Sequence, residues 1–123
     1  MKFCWTTIGV SDFDKSLEFY TKVVGLAVDR TLTAGPKMKI AFLGAGETKL
    51  ELIYDESAAK KGLGGGVSIG FEIDSVEAFM AELRTRGVAI ESGPHEPNPT
   101  VKFFYVLDPD GLRVQFVENL KRP

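Results

Sequence analysis

The fold is decided by residues 12–28, which read Asp12-Phe13-Asp14-Lys15-Ser16-Leu17-Glu18-Phe19-Tyr20-Thr21-Lys22-Val23-Val24-Gly25-Leu26-Ala27-Val28. The same order of residue types returns without a gap 62 residues later, where Asp74 lies under Asp12 and Gly87-Val88-Ala89-Ile90 lies under Gly25-Leu26-Ala27-Val28. A second match follows at an offset of 64, where Arg113-Val114-Gln115-Phe116-Val117 lies under Lys49-Leu50-Glu51-Leu52-Ile53. Two nearly equal offsets in one short chain indicate a duplicated unit.

Each copy begins with a strand that leads into a helix. Alternating side chains predict the two strands, at Thr6, Ile8 and Val10 and at Val67, Ile69, Phe71 and Ile73. Apolar residues at helical spacing follow, and each helix ends at a glycine, Gly25 or Gly87, that can adopt the left-handed conformation. Ser11 or Asp12 can cap the first helix, and Asp74 or Ser75 the second.

Three extended segments follow each helix. They are predicted at about 26–32, 38–44 and 48–55 in the first copy, and at about 88–91, 101–107 and 112–118 in the second. The order βαβββ, present twice, predicts an α+β protein built from two tandem βαβββ modules with a mostly antiparallel sheet.

We expect the 123 residues to form one domain, 1–123. Module one occupies about 1–60, a linker about 60–66, and module two about 67–120. The linker is rich in glycine, and a glycine-rich loop can bind phosphate where it joins a strand to the N-terminus of a helix. This one precedes a strand, so we interpret it as a flexible connection.

Composition and charge exclude several functions. The net charge is −2 and no basic stripe is present, so neither nucleic acid nor an anionic membrane is expected as a partner. No stretch approaches the roughly 20 apolar residues that span a bilayer. The one cysteine, Cys4, cannot form an internal disulfide. With strand-like sequence at the first residues in place of a signal peptide, these features lead us to expect a cytoplasmic protein.

Two motifs carry a resemblance to a known family. They are Ile8-Gly9-Val10-Ser11-Asp12-Phe13-Asp14-Lys15-Ser16-Leu17-Glu18-Phe19-Tyr20, continuing to Val24-Gly25-Leu26, and Asp108-Pro109-Asp110-Gly111-Leu112-Arg113-Val114-Gln115-Phe116. Together with Leu50-Glu51-Leu52 they resemble the vicinal oxygen chelate superfamily, which includes glyoxalase I, bleomycin-resistance proteins and extradiol dioxygenases. The resemblance covers nearly the whole chain. It implies an open sheet in which each module curls to form one half of a cleft.

The resemblance also implies where a metal would bind, and this sequence departs from that pattern. Glyoxalase I takes its ligands, typically two histidines and two glutamates, from the first and last strands of each module. The matching positions here hold Trp5, Glu51, Ser68 and Gln115. Tryptophan offers no lone pair to a metal, and a hydroxyl and a neutral amide are weak ligands. One carboxylate does not hold a divalent ion against water, so we expect no metal and no other cofactor.

Strand alternation predicts which residues share a face with these positions. Leu50, Leu52, Val114 and Phe116 should face the helices. The opposite face would then carry Trp5, Lys49, Glu51, Ile53, Ser68, Gly70, Glu72, Arg113, Gln115 and Val117. That face is either simply solvated or, as the resemblance implies, the lining of a cavity. In the second case Trp5, Lys49, Glu51, Ser68, Arg113 and Gln115 are the predicted ligand-binding residues.

Three other features have simpler interpretations. Phe103-Phe104-Tyr105 alternates its faces, so its rings belong either to the core or to the wall of the cavity. His95 is interpreted as a solvated residue in a proline-bounded loop at 93–99. Cys4 has no base nearby in sequence and is interpreted as a small hydrophobic residue.

Two functions of different kinds remain open. The first is a metal-free small-molecule binding protein of the glyoxalase/bleomycin-resistance type, with an aromatic and charged cleft suited to a planar, anionic or zwitterionic ligand. The second is a glyoxalase-like lyase or isomerase in which Glu51 acts as general base and Arg113 or Lys49 holds the developing charge. Relatives of this length commonly pair modules between two subunits, so the expected partners are a small-molecule ligand and a second copy in a homodimer.

Overall fold

The computed structural model describes residues 3–33, 35–46, 48–56 and 67–120. The chain divides into two compact units, residues 1–63 and 64–123. The predicted linker at 60–66 lies outside the described residues. Each unit is a four-stranded sheet with helical structure between its first and second strands.

The order of elements is βαβββ in both units, as predicted. Unit one contains β1 (Trp5–Gly9), α1 (Phe13–Glu18), a π-helical turn (Phe19–Val23), β2 (Val28–Thr33), β3 (Met38–Leu43) and β4 (Lys49–Asp55). Unit two contains β5 (Ser68–Glu72), α2 (Val76–Thr85), β6 (Ser92–Asn98), β7 (Val101–Leu107) and β8 (Arg113–Asn119). The strand orders are β1-β4-β3-β2 and β5-β8-β7-β6. The first strand of each unit runs parallel to the last, and the other pairs are antiparallel.

The helices begin and end where their capping chemistry predicts. The Asp12 carboxylate accepts a hydrogen bond from the backbone N–H of Lys15, and the Ser75 hydroxyl accepts one from Ala78. Gly25 (φ +89°) and Gly87 (φ +76°) follow the last helical turns in the left-handed conformation. Of the two capping candidates in each helix, the structure therefore selects Asp12 and Ser75. No helix among the described residues is long and apolar enough to cross a membrane.

Each sheet buries one face against its helical segment. The residues buried in this way include Ile8, Ala41, Leu43, Leu50 and Leu52 with Phe19 and Tyr20 in unit one, and Phe104, Val106, Val114 and Phe116 with Val76, Met80 and Leu83 in unit two. The alternation predicted from Leu50, Leu52, Val114 and Phe116 is confirmed. Val67 departs from its predicted row because it precedes β5, and 54% of it is exposed.

The strand predicted at 88–91 and the loop predicted at 93–99 are both wrong, because β6 spans Ser92–Asn98. Its residues pair with β7 only at every third position, through Ser92, His95 and Asn98, with register shifts between them. β6 lies at the edge of its sheet, where a proline can replace a ladder N–H without leaving a partner unpaired. Prolines that read as a loop in the sequence are therefore accommodated in an edge strand, and His95 lies in that strand.

Gly93 allows β6 to approach the core closely. Its φ is +115°, and a Cβ placed there would lie 2.7 Å from Cβ and 2.9 Å from Cα of Phe104. The Phe104 side chain is completely buried, so it cannot move aside without disturbing the packing of the core.

We expect Gly93→Ala to lower the free energy of unfolding by roughly 1–2 kcal/mol for the positive φ and by a further 1–3 kcal/mol or so for overpacking against Phe104. Urea denaturation monitored by circular dichroism measures the loss. Gly111→Ala is the matched control, since Gly111 also has a positive φ (+86°) but faces open space. Equal losses in the two variants would contradict the role given to the Phe104 contact.

Candidate functional site

The exposed face of unit one is set by the pairing of β1 with β4. Trp5 is in register with Lys49, and Thr7 is in register with Glu51. Residues in register on parallel neighbouring strands point to the same side of a sheet. These four residues therefore share the face opposite Leu50, as the sequence predicts.

An aromatic pair dominates this face. The rings of Trp5 and Phe42 meet edge to face with their centroids 5.3 Å apart, and Phe42 is the β3 residue in register with Glu51. The guanidinium of Arg30 lies 4.4 Å from the centroid of the Phe42 ring. Trp5 is 44% exposed. Its indole thus presents a flat apolar wall to solvent while one edge packs on Phe42.

The polar groups of this face already have partners. The hydroxyl of Thr7 donates a hydrogen bond to Oε1 of Glu51 at 2.5 Å. The ammonium of Lys49 donates to the backbone carbonyl of Gly44 at 2.8 Å and lies 3.8 Å from a carboxylate oxygen of Asp29. Lys49 therefore links Gly44, just after β3, to Asp29 on β2, and these contacts partly neutralise its charge.

The corresponding face of unit two is set by the pairing of β5 with β8. Ser68 is in register with Arg113, and Gly70 is in register with Gln115. The amide of Gln115 donates to the hydroxyl of Tyr105, with 3.1 Å between Nε2 and Oη. A Cβ at Gly70 would lie 3.1 Å from Oε1 of Gln115. The absence of a side chain at Gly70 therefore leaves room for the Gln115 amide over β5.

A groove opens beside this face, with a volume of about 580 Å³. Its floor is a cluster of rings in which Phe103 and Tyr105 lie 5.7 Å apart and the His95 imidazole lies 5.4 and 6.0 Å from them. The guanidinium carbon of Arg113 lies 3.7 Å from the centroid of the Tyr105 ring. The lining residues are Pro94, His95, Glu96, Pro97, Phe103, Tyr105 and Arg113.

A polar network holds the Arg113 side of the groove. Nη2 of Arg113 lies 3.2 Å from Glu91 and 3.4 Å from the hydroxyl of Ser92. That hydroxyl donates to Glu91 at 2.9 Å, and Nε2 of His95 lies 3.2 Å from it. Nε of Arg113 is buried and has no hydrogen-bond partner among the described residues. An unpaired buried donor of this kind is uncommon in proteins.

The duplication relates the two faces position by position. Glu51 and Gln115 are equivalent, and the third-strand residues in register with them are Phe42 and Tyr105. Each of these two rings carries a guanidinium, from Arg30 on β2 in one unit and from Arg113 on β8 in the other. The ring and cation are present in both units, although the cation comes from different strands.

The positions at which the family resemblance implies a metal do not fit one. In unit one an indole packed on Phe42 replaces a nitrogen ligand, and the Glu51 carboxylate accepts from Thr7. In unit two Ser68 provides only a hydroxyl, and the Gln115 amide is bonded to Tyr105. Within the part of the chain that the structure describes, no three His, Cys, Asp or Glu side chains form a group able to hold a metal ion. The donor chemistry does not match a divalent ion.

The structure thus brings together the predicted site residues within each unit: Trp5, Lys49 and Glu51 in one, and Ser68, Arg113 and Gln115 in the other. Sequence reasoning did not identify Phe42 and Arg30, and it assigned His95 to a loop. Those three residues reach the site because their strands pair with others in the sheet. Nothing in the sequence around them indicates these contacts. The alternation in 103–105 did indicate Phe103 and Tyr105, which lie at the groove while Phe104 is in the core.

Known proteins resemble this chain along almost its whole length. The model of the Glyoxalase/Bleomycin resistance protein/Dioxygenase superfamily matches residues 2–116. Lactoylglutathione lyase of Escherichia coli O157:H7 is 34% identical over 128 aligned positions, covering 97% of this chain and 93% of that protein. Lactoylglutathione lyase of Haemophilus influenzae is 36% identical over 130 positions, with the same coverage of each chain. The trypanothione-dependent glyoxalase I of Leishmania major has a TM-score of 0.81 at 27% identity, covering 96% of this chain and 86% of that one. The resemblance and the fold class predicted from the sequence are confirmed.

We expect Trp5→Ala to leave the fold intact, because nearly half of the indole is exposed and only its packing on Phe42 is lost. The free energy of unfolding should fall by less than about 2 kcal/mol, whereas Phe116→Ala, which empties a buried site, should cost about 3–5 kcal/mol. Urea denaturation followed by circular dichroism compares them. A loss for Trp5→Ala as large as that for Phe116→Ala would assign Trp5 to the core.

Proposed function

The chain belongs to the Glyoxalase/Bleomycin resistance protein/Dioxygenase superfamily, and we propose that within it this protein binds a small organic molecule without a divalent metal. One observation carries the proposal. At the position where the resemblance implies a histidine ligand, Trp5 packs edge to face on Phe42 and presents its exposed indole as a wall. An indole can bury an aromatic ligand but cannot coordinate a metal.

The other side chains of the two faces support binding over coordination. Aromatic walls with a few placed polar groups are the usual composition of a small-molecule site. Unit one offers Trp5, backed by the buried ring of Phe42, and unit two offers Phe103 and Tyr105 with the guanidinium of Arg113. Because Lys49 and Arg113 each lie close to a carboxylate, these faces attract anions only weakly at long range, and contact with the rings supplies most of the binding.

We expect the protein purified without chelators to contain far less than one equivalent of zinc, nickel, manganese or iron, measured by elemental analysis. Stoichiometric metal in the unmodified protein, lost in Glu51→Gln, would overturn the proposal.

A second candidate function is a lyase or isomerase reaction of the glyoxalase type. It is favoured by the lactoylglutathione lyases that are 34% and 36% identical to this chain over 97% of its length. Glu51 would act as the general base, and the Thr7 hydroxyl would hold its carboxylate in place. The negative charge that develops on substrate would need a cation. Lys49 is already bonded to Gly44, and Arg113 is paired with Glu91.

We expect no measurable isomerisation of the hemithioacetal of methylglyoxal and glutathione, because metal polarisation of the carbonyl contributes several kcal/mol in metal-dependent enzymes and the residues here do not replace it. The assay follows formation of the thioester product, with and without added Ni²⁺ or Zn²⁺. A rate within about tenfold of a metal-dependent glyoxalase, a barrier difference of about 1.4 kcal/mol, that is abolished by Glu51→Gln would establish the second function instead.

A further inference from the structure

Arg113 has donors available to a ligand at the edge of the groove in unit two. A guanidinium carries five N–H donors, and both hydrogen bonds that the structure shows from Arg113 come from Nη2. The hydrogen bonds that the structure shows leave Nε and Nη1 unused. Nε is buried, whereas the Arg113 side chain as a whole is 42% exposed and lines the groove, so Nη1 supplies the donors that a ligand can reach. Arg113 thus pairs with Glu91 and still has donors for a second anion.

Stacking holds this guanidinium in one orientation. Its central carbon lies 3.7 Å from the centroid of the Tyr105 ring, and Nη2 is fixed by Glu91 and Ser92. A planar guanidinium whose orientation is fixed in advance loses little entropy when it binds a carboxylate. The group best suited to it is another planar, charged acceptor, since guanidinium–carboxylate contacts are stronger than neutral hydrogen bonds.

The neighbouring rings suit a flat molecule. Phe103 and His95 lie next to Tyr105 and are both half-buried or exposed at the groove, with centroids 5.4 Å apart. The groove volume of about 580 Å³ lies within the usual range for small-molecule sites. A fused aromatic ring lying on Phe103 and His95 would bring an attached acid group to Arg113.

Glu96 adds a negatively charged group to the groove that Arg113 lines. It lines the same groove and forms no ion pair among the described residues. Lys102 is bonded to Glu77 at 2.6 Å, and that bond, with a smaller attraction from Glu96, raises the pKa of the Lys102 ammonium. A negative group on the ligand near Glu96 would be repelled.

We propose that the groove between β6 and β8 binds a planar aromatic acid, with its single acid group on Arg113, its ring on Phe103 and His95, and an uncharged or cationic end at Glu96. This inference rests on the proposed function and names its ligand class. It assigns Arg113 as the anion contact and Glu96 as the residue that weakens the binding of diacids.

Calorimetric titrations with three probes test the assignment: 2-naphthoate, 2,6-naphthalenedicarboxylate and 2-naphthylmethylamine. We expect 2-naphthoate to bind best and the diacid to bind about threefold more weakly or worse because of Glu96. Arg113→Met should lower the affinity for 2-naphthoate about tenfold or more, with Arg113→Lys intermediate. Glu96→Gln should bring the diacid level with the monoacid. Arg84→Met and Glu56→Gln remove the same charges elsewhere and should change neither affinity.

His95 provides a test that needs no variant, because it is the one histidine of the chain and its imidazole signals are identified at once in a proton NMR spectrum. We expect 2-naphthoate to shift these signals in a saturable way. The inference is overturned if the cationic probe binds more tightly than 2-naphthoate, if Arg113→Met leaves the affinity unchanged, or if no probe binds or shifts His95 at about 1 mM. Those results would leave the metal-content test untouched, so failure of the ligand class and failure of the proposed function are told apart.

Discussion

The parallel pairing of the first and last strands in each unit is the constraint on which the site depends. Trp5 and Glu51 are more than 40 residues apart in the sequence, and this pairing is what places their strands side by side. The register of β1 with β4 places Trp5, Thr7, Lys49 and Glu51 on one face, and β5 with β8 does the same for Ser68 and Arg113. Side chains on the opposite face close the core, so a slip of one residue would bury charge and expose Leu52 or Phe116. Core packing and site geometry are thus fixed by one register.

The duplication preserves this frame while the chemistry on it diverges. Glu51 is held by a threonine hydroxyl on the neighbouring strand, whereas its equivalent Gln115 turns towards Tyr105 over a glycine. Phe42 and Tyr105 occupy equivalent positions and both carry a guanidinium, but Arg30 comes from the second strand and Arg113 from the fourth. The frame needs only apolar residues on the buried face, so the exposed positions are free to change.

The fold could be predicted from the sequence because its signals are local. Asp12, Ser75, Gly25 and Gly87 mark the ends of the helices through backbone chemistry within a few residues, and strand alternation separated Phe104 from Phe103. β6 could not be predicted, because its pairing at every third residue follows neither the strand nor the helix period and its prolines resemble those of a loop. The contacts of the site could not be predicted from the sequence for a related reason. Phe42 meets Trp5, and His95 meets Phe103, across strands whose register depends on the whole sheet.

The ion pairs on the two faces limit what the metal-free binding that we propose can recognise. Lys49 lies 3.8 Å from Asp29, and Arg113 lies 3.2 Å from Glu91. Each cation is therefore largely balanced before any ligand arrives, and these half-exposed pairs are screened by solvent. What remains is the burial of a ligand's ring surface, either against Trp5 in unit one or against Phe103 and Tyr105 in unit two. The free energy gained is roughly proportional to the apolar area removed from water. The unused donors of Arg113 act over a short distance, so they add affinity only for a ligand whose acid group reaches them. Rings that supply binding energy and a paired cation that supplies direction suit a protein that holds a planar molecule, whereas glyoxalase chemistry needs a strong unbalanced charge at the reacting carbonyl.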